Sequence, residues 1–329
     1  SISTTHVNAA ETVRVSLFSW PGYGFWFIAK EKGLAEGIEL DIKIIEDPYE
    51  SFAAMAAGQL DITSSTVEYG PIAAEEGVPV KLVAYTNPSI GTDKIILAPD
   101  IKDPAELKGK KVAVMEGGLT QIYMGIWLEE NGLKFDDVTY VNLIMDDAVG
   151  AMVSGEVSAG EFWEPFGTNV VKNLEGSRVV ATSDEEYWRS TALLADGMYM
   201  GTEFIDSKPE AAAAAMKAYY SAVDWWKANP TEGNAIIAKA LQFPVADVEL
   251  VIGADGNGQA NIGGLWPFTL DESARFMKLK DGPVPIGGEE GINAHWKLTN
   301  EWWVKFGVMK EMLPPTAGID MRPMQAILE

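Results

Sequence analysis

The sequence has no cysteine and only two histidines, His6 and His295, in 329 residues. The first absence excludes disulfides, thiolate nucleophiles, Cys-ligated zinc and iron–sulfur clusters together, although it identifies no redox compartment. The second leaves little material for a His-based metal site or a Ser/His/Asp triad, since His6 lies in a polar tail and His295 stands beside Trp296. Basic residues are scarce too. With 25 bases against 48 acids the net charge is −23, a field that repels phosphate backbones and anionic membrane surfaces and argues against nucleic acid as a partner. No run of about 18 apolar residues occurs, so no segment reads as a membrane span. No GxGxxG or Walker pattern surrounds Gly117-Gly118, and no cofactor or metal is expected.

What is present is an ordinary globular composition, 47% hydrophobic with 32 Gly and 17 Pro, enough to bury a sizeable core. Ser1 to Ala10 is a polar lead compatible with a removed export signal. Beyond it, Val13 to Phe18 alternates as a half-buried strand, and Phe25, Ile28 and Ala29 fall at helical spacing before a stop at Gly33. Strands over Glu39–Ile45, Asp61–Thr63 and Val80–Ala84 then alternate with helices over Tyr49–Ala57 and Val67–Glu76. Such alternation means βαβ units and a mostly parallel sheet.

The order then repeats. A capped turn from Asp103 to Gly109 leads into a strand over Lys111–Met115, a helix over Leu119–Glu130 closed by Asn131-Gly132, a strand over Val138–Leu143 and a helix over Asp147–Val153. The Lys111 strand follows the Val13 strand by 98 residues, Val138 follows Glu39 by 99, and Met152 follows Met55 by 97. Constant register at this distance predicts two similar doubly wound α/β lobes, with a period too long for a solenoid. Crossings between them fall at Thr92–Ala98 and Asp196–Gly201. Lobe I is therefore expected over 11–93 and 200–329, lobe II over 94–199, and a tail over 1–10. In the helix that Pro209 starts, Met216, Tyr219, Tyr220, Val223 and Trp226 form one apolar stripe, read as core. Trp296, Trp302 and Trp303 are read as structural, Asp255–Gln259 as an ordinary turn, and Asp146-Asp147 as a helix cap.

Ligands of open α/β sheets bind beyond the carboxyl ends of the strands, and two such lobes face each other across a cleft. The strand-end loops are Ser19–Tyr23 and Ser64–Tyr69 in lobe I, and Glu116–Gln121 and Glu161–Phe166 in lobe II. None contains Lys or Arg. Helix N-terminal amides alone can hold an anion, but the usual added Arg is missing and Glu68, Glu116, Glu161 and Glu164 would oppose it. Trp20, Tyr23, Tyr69 and Trp163, with Glu68, Glu116 and Glu164, instead offer π faces and carboxylates to a small cation or amine. Asp196, at the start of the return crossing, is placed with them. Glu116 and Glu164 also suit helix N-termini, and Trp163 and Phe166 could pack the lobe interface.

Several segments carry a family resemblance: Gly58-Gln-Leu-Asp-Ile-Thr-Ser-Ser65, Pro79-Val-Lys-Leu-Val-Ala84, Asp103-Pro-Ala-Glu-Leu-Lys-Gly-Lys-Lys-Val-Ala-Val114, Trp163-Glu-Pro-Phe166, and Pro209-Glu-Ala before an aromatic helix ending Lys227-Ala-Asn-Pro230. Over residues 12 to 230 the chain resembles the nitrate/sulfonate/taurine-type solute-binding proteins of ABC transporters and the related thiamine-pyrimidine-precursor binders. The resemblance implies a type II periplasmic-binding-protein fold, a monomer outside the cytoplasm, and hinge closure on one small molecule delivered to a membrane permease. By position it implies ligand contacts from Trp20, Tyr23, Ser65, Thr66, Gly118 to Gln121 (with Thr120) and Trp163 to Phe166. The departure is chemical, because oxyanion binders present more polar or basic partners than these loops do. A cationic amine or guanidinium-like solute is therefore favoured, with a sulfonate such as taurine, or nitrate, as the alternative. An enzyme of the thiamine-pyrimidine-synthase kind needs a His/Cys-rich site that this sequence lacks, so a binding protein is expected.

Overall fold

The computed structural model describes residues 9–258 and 264–329. His6 and Gln259, singled out above, lie outside them. Among the described residues the strands are β1 (Glu11–Leu17), β2 (Ile38–Ile44), β3 (Ile62–Thr66), β4 (Val80–Ile90), β5 (Asp93–Leu97), β6 (Lys111–Val114), β7 (Thr139–Asn142), β8 (Ala159–Trp163), β9 (Arg178–Thr182), β10 (Ala195–Gly201) and β11 (Gly264–Leu265). They form two sheets, ordered β11-β4-β10-β3-β1-β2 and β7-β6-β8-β5-β9.

The duplication is visible in this order. β1 pairs in parallel with β2 and β3, as β6 does with β7 and β8. The fourth place in each lobe goes to a strand that arrives from the other lobe: β10 runs antiparallel to β3 and β4, and β5 runs antiparallel to β8 and β9. Both segments expected to cross are thus the crossing strands. The boundary drawn from sequence shifts, because residues 195–199, allotted to lobe II, pair within the first sheet. The chain changes sheets between Ile90 and Asp93 and again between Thr182 and Ala195. At this double crossing the Ser183 hydroxyl accepts from the Gly91 and Asp93 amides at 2.8 and 3.1 Å and lies 2.6 Å from the Ser89 hydroxyl.

Helices close the faces of both sheets. The helix Pro209–Ala228 buries its Met216, Tyr219, Tyr220, Val223 and Trp226 stripe against the first sheet, as a one-sided apolar helix should. The helix Leu119–Glu130 has the predicted ends; it stops at Asn131, and Gly132 follows at φ +79°. Asp146 and Asp147 are not the cap of their helix, which begins at Met145 with Ile144 at the N-cap; they occupy its first turn, where carboxylates favour the positive end of the macrodipole. Asp255 accepts from the Asn257 amide at 3.0 Å, an ordinary Asx turn. Trp296, Trp302 and Trp303 donate to the Leu313 carbonyl, the Tyr187 hydroxyl and the Glu68 carbonyl. No described helix is long and apolar enough to cross a membrane.

Candidate functional site

The carboxyl ends of β1 and β3 face those of β6 and β8, and there the lobes meet. Phe18 follows β1, Thr66 ends β3, Leu119 opens the helix after β6, and Trp163 ends β8. The crossing strands run the other way, so their amino ends reach the same place and deliver Asp93 and Asp196. Phe18, Trp20, Thr66, Asp93, Leu119, Trp163 and Asp196 line a small cavity of about 10 Å³ between the lobes. The lobes are shut on it. Phe18 of one stacks on Trp163 of the other at 5.1 Å, and the Thr66 hydroxyl accepts from the Leu119 amide at 3.2 Å.

Of the residues expected from sequence, Trp20, Thr66, Trp163 and Asp196 line this cavity, and Tyr23 stands behind it. The Tyr23 hydroxyl donates to Asp196 Oδ1 at 2.5 Å, the Asn87 amide donates to Oδ2 at 2.7 Å, and Tyr23 packs edge-on against Trp20 and Phe18 at 4.9 Å each. Burial pushes the Asp196 carboxyl up to about 8 against these two bonds, and pushes the Tyr23 phenol well up, with Asp196 adding to the effect. Asp93, which sequence reading passed over, is 2% exposed, and burial raises its carboxyl above the ordinary range. No Lys or Arg lines the cavity among the described residues.

The other expected contacts lie off it. Glu68 is fully buried, accepts from the Ala195 amide at 3.1 Å, and is raised well above the carboxylate range by desolvation. Glu164 is held by Lys94 at 2.9 Å and by the Thr168 hydroxyl at 2.5 Å. Glu116 is exposed and lines a separate groove with Tyr49 and the buried Tyr69. Thr120 accepts from the Met115 amide at 2.7 Å and Gln121 from the Gly117 amide at 2.8 Å, so both brace the turn that presents Leu119. The Ser65 hydroxyl is buried behind the wall without a partner. His295 is buried elsewhere, bonded to the Leu193 carbonyl at 2.7 Å, and burial pushes its imidazole down to about 4.

Three wall atoms find no protein partner: Trp20 Nε1, Trp163 Nε1 and Asp93 Oδ1. Buried polar groups left unpaired cost about 1–3 kcal/mol each, so unpaired groups around a cavity mark a place for a ligand. A larger concavity, about 320 Å³, lies at the amino ends of β1, β3 and β4, but it opens to solvent and its Arg14 is already paired with Asp61 at 2.9 Å. The interlobe cavity is therefore the candidate site.

With the geometry in place, comparison with known proteins is informative. The NMT1/THI5-like family model matches residues 20–233, well over half of the chain. The chain belongs to that family. It is 28% identical over 225 residues to a binding protein of Brucella abortus, covering 68% of this chain and 69% of that one. It is 24% identical over 270 residues to the taurine-binding periplasmic protein of Escherichia coli, covering 78% and 81%. Its fold superposes on the alkanesulfonate-binding protein SsuA from Xanthomonas axonopodis pv. citri bound to MOPS, with TM-score 0.71, 16% identity, and 94% and 99% coverage. The two-lobed periplasmic-binding-protein fold expected from sequence is the one observed.

Proposed function

We propose that this chain is the extracytoplasmic solute-binding component of an ABC importer, and that it captures a small nitrogen-containing cation between its lobes for delivery to a membrane permease. The relatives' names, a taurine-binding periplasmic protein and an alkanesulfonate-binding protein, support a solute-binding role and favour a sulfonate over a cation as the solute. The lining carries the choice of solute: two aspartates and three aromatic rings, with no basic side chain among the described residues. A monovalent amine or guanidinium would meet carboxylate acceptors on both lobes and the π faces of Phe18, Trp20 and Trp163. Contacts split between two lobes favour the closed state only when ligand is present, which is hinge closure by population shift. The protein acts in this reading as a monomer and catalyses no reaction; His295, the one histidine among the described residues, lies away from the cavity.

The unpartnered indole N–H groups of Trp20 and Trp163 favour one alternative, a sulfonate-bearing solute such as taurine, whose ammonium could still meet the aspartates. A thermal-shift panel of guanidinium, methylammonium, taurine, ethanesulfonate and nitrate separates the readings, because a ligand bound only by the native state raises the melting temperature. Stabilisation by the cations supports the proposal. Stabilisation confined to ethanesulfonate and nitrate overturns it.

A further inference from the structure

Besides the wall atoms already named, the buried side-chain atoms without a partner among the described residues are the Ser65 and Tyr123 hydroxyls, Glu68 Oε2 and both carboxylate oxygens of Glu161. Two of these residues form a layer directly beneath the wall. Glu161 precedes Trp163 by two residues in β8, so both side chains share one face of the strand, with Glu161 roughly 7 Å deeper. In the β5–β8 ladder Asp93 lies opposite Trp163 and Ile95 opposite Glu161, which makes Asp93 and Glu161 diagonal neighbours on that face. Tyr123 follows Leu119 by four residues in the helix Leu119–Glu130, one turn deeper on the same side.

Glu161 has no solvent exposure, and unlike Glu164, which is held by Lys94 and Thr168, it has no donor on either oxygen. Burial raises its carboxyl well above the carboxylate range, with Asp93 and then Glu68 adding to the effect, so the acids of the two lobes feel one another here. A carboxylate buried without donors destabilises the fold that holds it, and a guest that supplies donors explains its place. Asp196 is the opposite case, since Tyr23 and Asn87 already bond its two oxygens. The free acceptors are Asp93 Oδ1, the two oxygens of Glu161 and, from the first lobe, Glu68 Oε2, whose Oε1 holds the Ala195 amide. Among the described residues no three acids converge closely enough to hold a metal ion. Acceptors spread in this way suit a molecular cation with donors on several edges.

We propose that Glu161 is a ligand contact that sets specificity, closing with Asp93 on the inner edge of a guanidinium ion held between the lobes. This rests on the cation reading above and narrows it. A guanidinium is planar, weakly hydrated, able to lie against an aromatic ring, and carries N–H groups on every edge, so one edge can meet Asp93 and Glu161 while another faces the acids of the first lobe. A methylammonium carries its donors at one end and a methyl group at the other. It leaves part of this acceptor set unpaired, and a site built of buried polar groups discriminates against a guest that leaves them so.

Isothermal titration calorimetry of the full chain with guanidinium chloride and methylammonium chloride, each at millimolar concentration, tests this on the wild type and on Glu161→Gln, with the ligand-free melting temperature read on both. The wild type is expected to bind guanidinium at least about tenfold more tightly than methylammonium. Glu161→Gln should weaken guanidinium binding by about 10- to 150-fold, the range of a hydrogen bond to a charged group, and should melt no lower than the wild type without ligand, because it relieves an unpaired buried acid. Unchanged guanidinium affinity in the variant, or a melting temperature that falls along with the affinity, overturns the contact. The wild-type selectivity stands as a test even if the variant fails to fold: equal affinities, or a preference for methylammonium, overturn the guanidinium assignment and leave the cation reading intact. Failure of both cations to bind the wild type overturns the cation reading itself.

Discussion

Closure has a steric signature at Gly118, the N-cap of the helix Leu119–Glu130. Its φ of −118° is one any residue adopts, so alanine there meets no backbone strain. A Cβ at this position would, however, stand 2.6 Å from the Tyr69 hydroxyl and 2.8 Å from Tyr69 Cε2, across the lobe interface. Tyr69 cannot swing away easily, since its ring is wedged edge-on between Tyr49 and Phe52 at 5.6 and 5.7 Å. Overpacking of this kind costs about 1–3 kcal/mol, and the whole cost falls on the closed state. Gly118→Ala is therefore expected to weaken ligand binding by about 5- to 150-fold while leaving the ligand-free melting temperature unchanged. Gly150→Ala, in the helix Met145–Ser154 with nothing within 4 Å of its would-be Cβ, is the matched control and should bind as the wild type does. Calorimetry with the tightest-binding member of the panel reads the affinity, and small-angle scattering reads the radius of gyration with and without ligand. Wild-type affinity in Gly118→Ala, or a fall in ligand-free stability as large as the loss of binding, would refute closure against Tyr69.

Other outcomes follow from the same geometry. Trp163→Ala removes a π face and the stack on Phe18, and is expected to weaken binding by at least about 1–2 kcal/mol by calorimetry; unchanged affinity removes Trp163 from the site. Lys94→Met leaves Glu164 buried and without its ion-pair partner, so denaturant unfolding should show a loss of about 3–5 kcal/mol; a loss below about 1 kcal/mol would show that the Thr168 bonds suffice. The pH dependence of ligand-free stability should also carry the mark of Asp196. Its folded value of about 8 stands above its ordinary 3.8, so the folded state binds the proton more tightly, and that stabilisation is lost as pH rises through about 8. His295, held down at about 4 from 6.5, acts in the opposite sense only below pH 6.5. Melting temperature should therefore fall between pH 6.5 and 8, and fall less in Asp196→Asn; equal slopes would contradict the assignment.

The duplication was legible because hydrophobic period and turn glycines survive in both halves at constant register, as the matching helix Leu119–Glu130 illustrates. Trp20, Thr66 and Trp163 were legible because parallel strands bring their carboxyl ends to the cleft. Asp93 was missed for the same reason. That rule speaks of parallel strands, and an antiparallel crossing strand presents its amino end to the interlobe cavity. The available signal was the matched pair of acids at the starts of the two crossing segments, Thr92-Asp93 and Ala195-Asp196. The acidic loop residues were read as one cage, yet Glu164 is claimed by a lysine 70 positions earlier in the chain, and Glu116 turns to solvent. Long-range pairing of this kind leaves no local pattern. Lobe assignment slipped at residues 195–199 because a crossing strand belongs to the sheet it enters, which only its neighbours reveal.

The central claim is that Asp93 and Asp196, one from each lobe, hold a nitrogenous cation between aromatic rings. A crystal structure with the tightest-binding cation of the panel tests it most directly. The account predicts ligand nitrogen within hydrogen-bond distance of both aspartates and against the Trp163 ring, inside the closed cavity. A cation bound elsewhere, or a sulfonate in the cavity with its oxygens on the Trp20 and Trp163 indole N–H groups and no nitrogen on either aspartate, would contradict it.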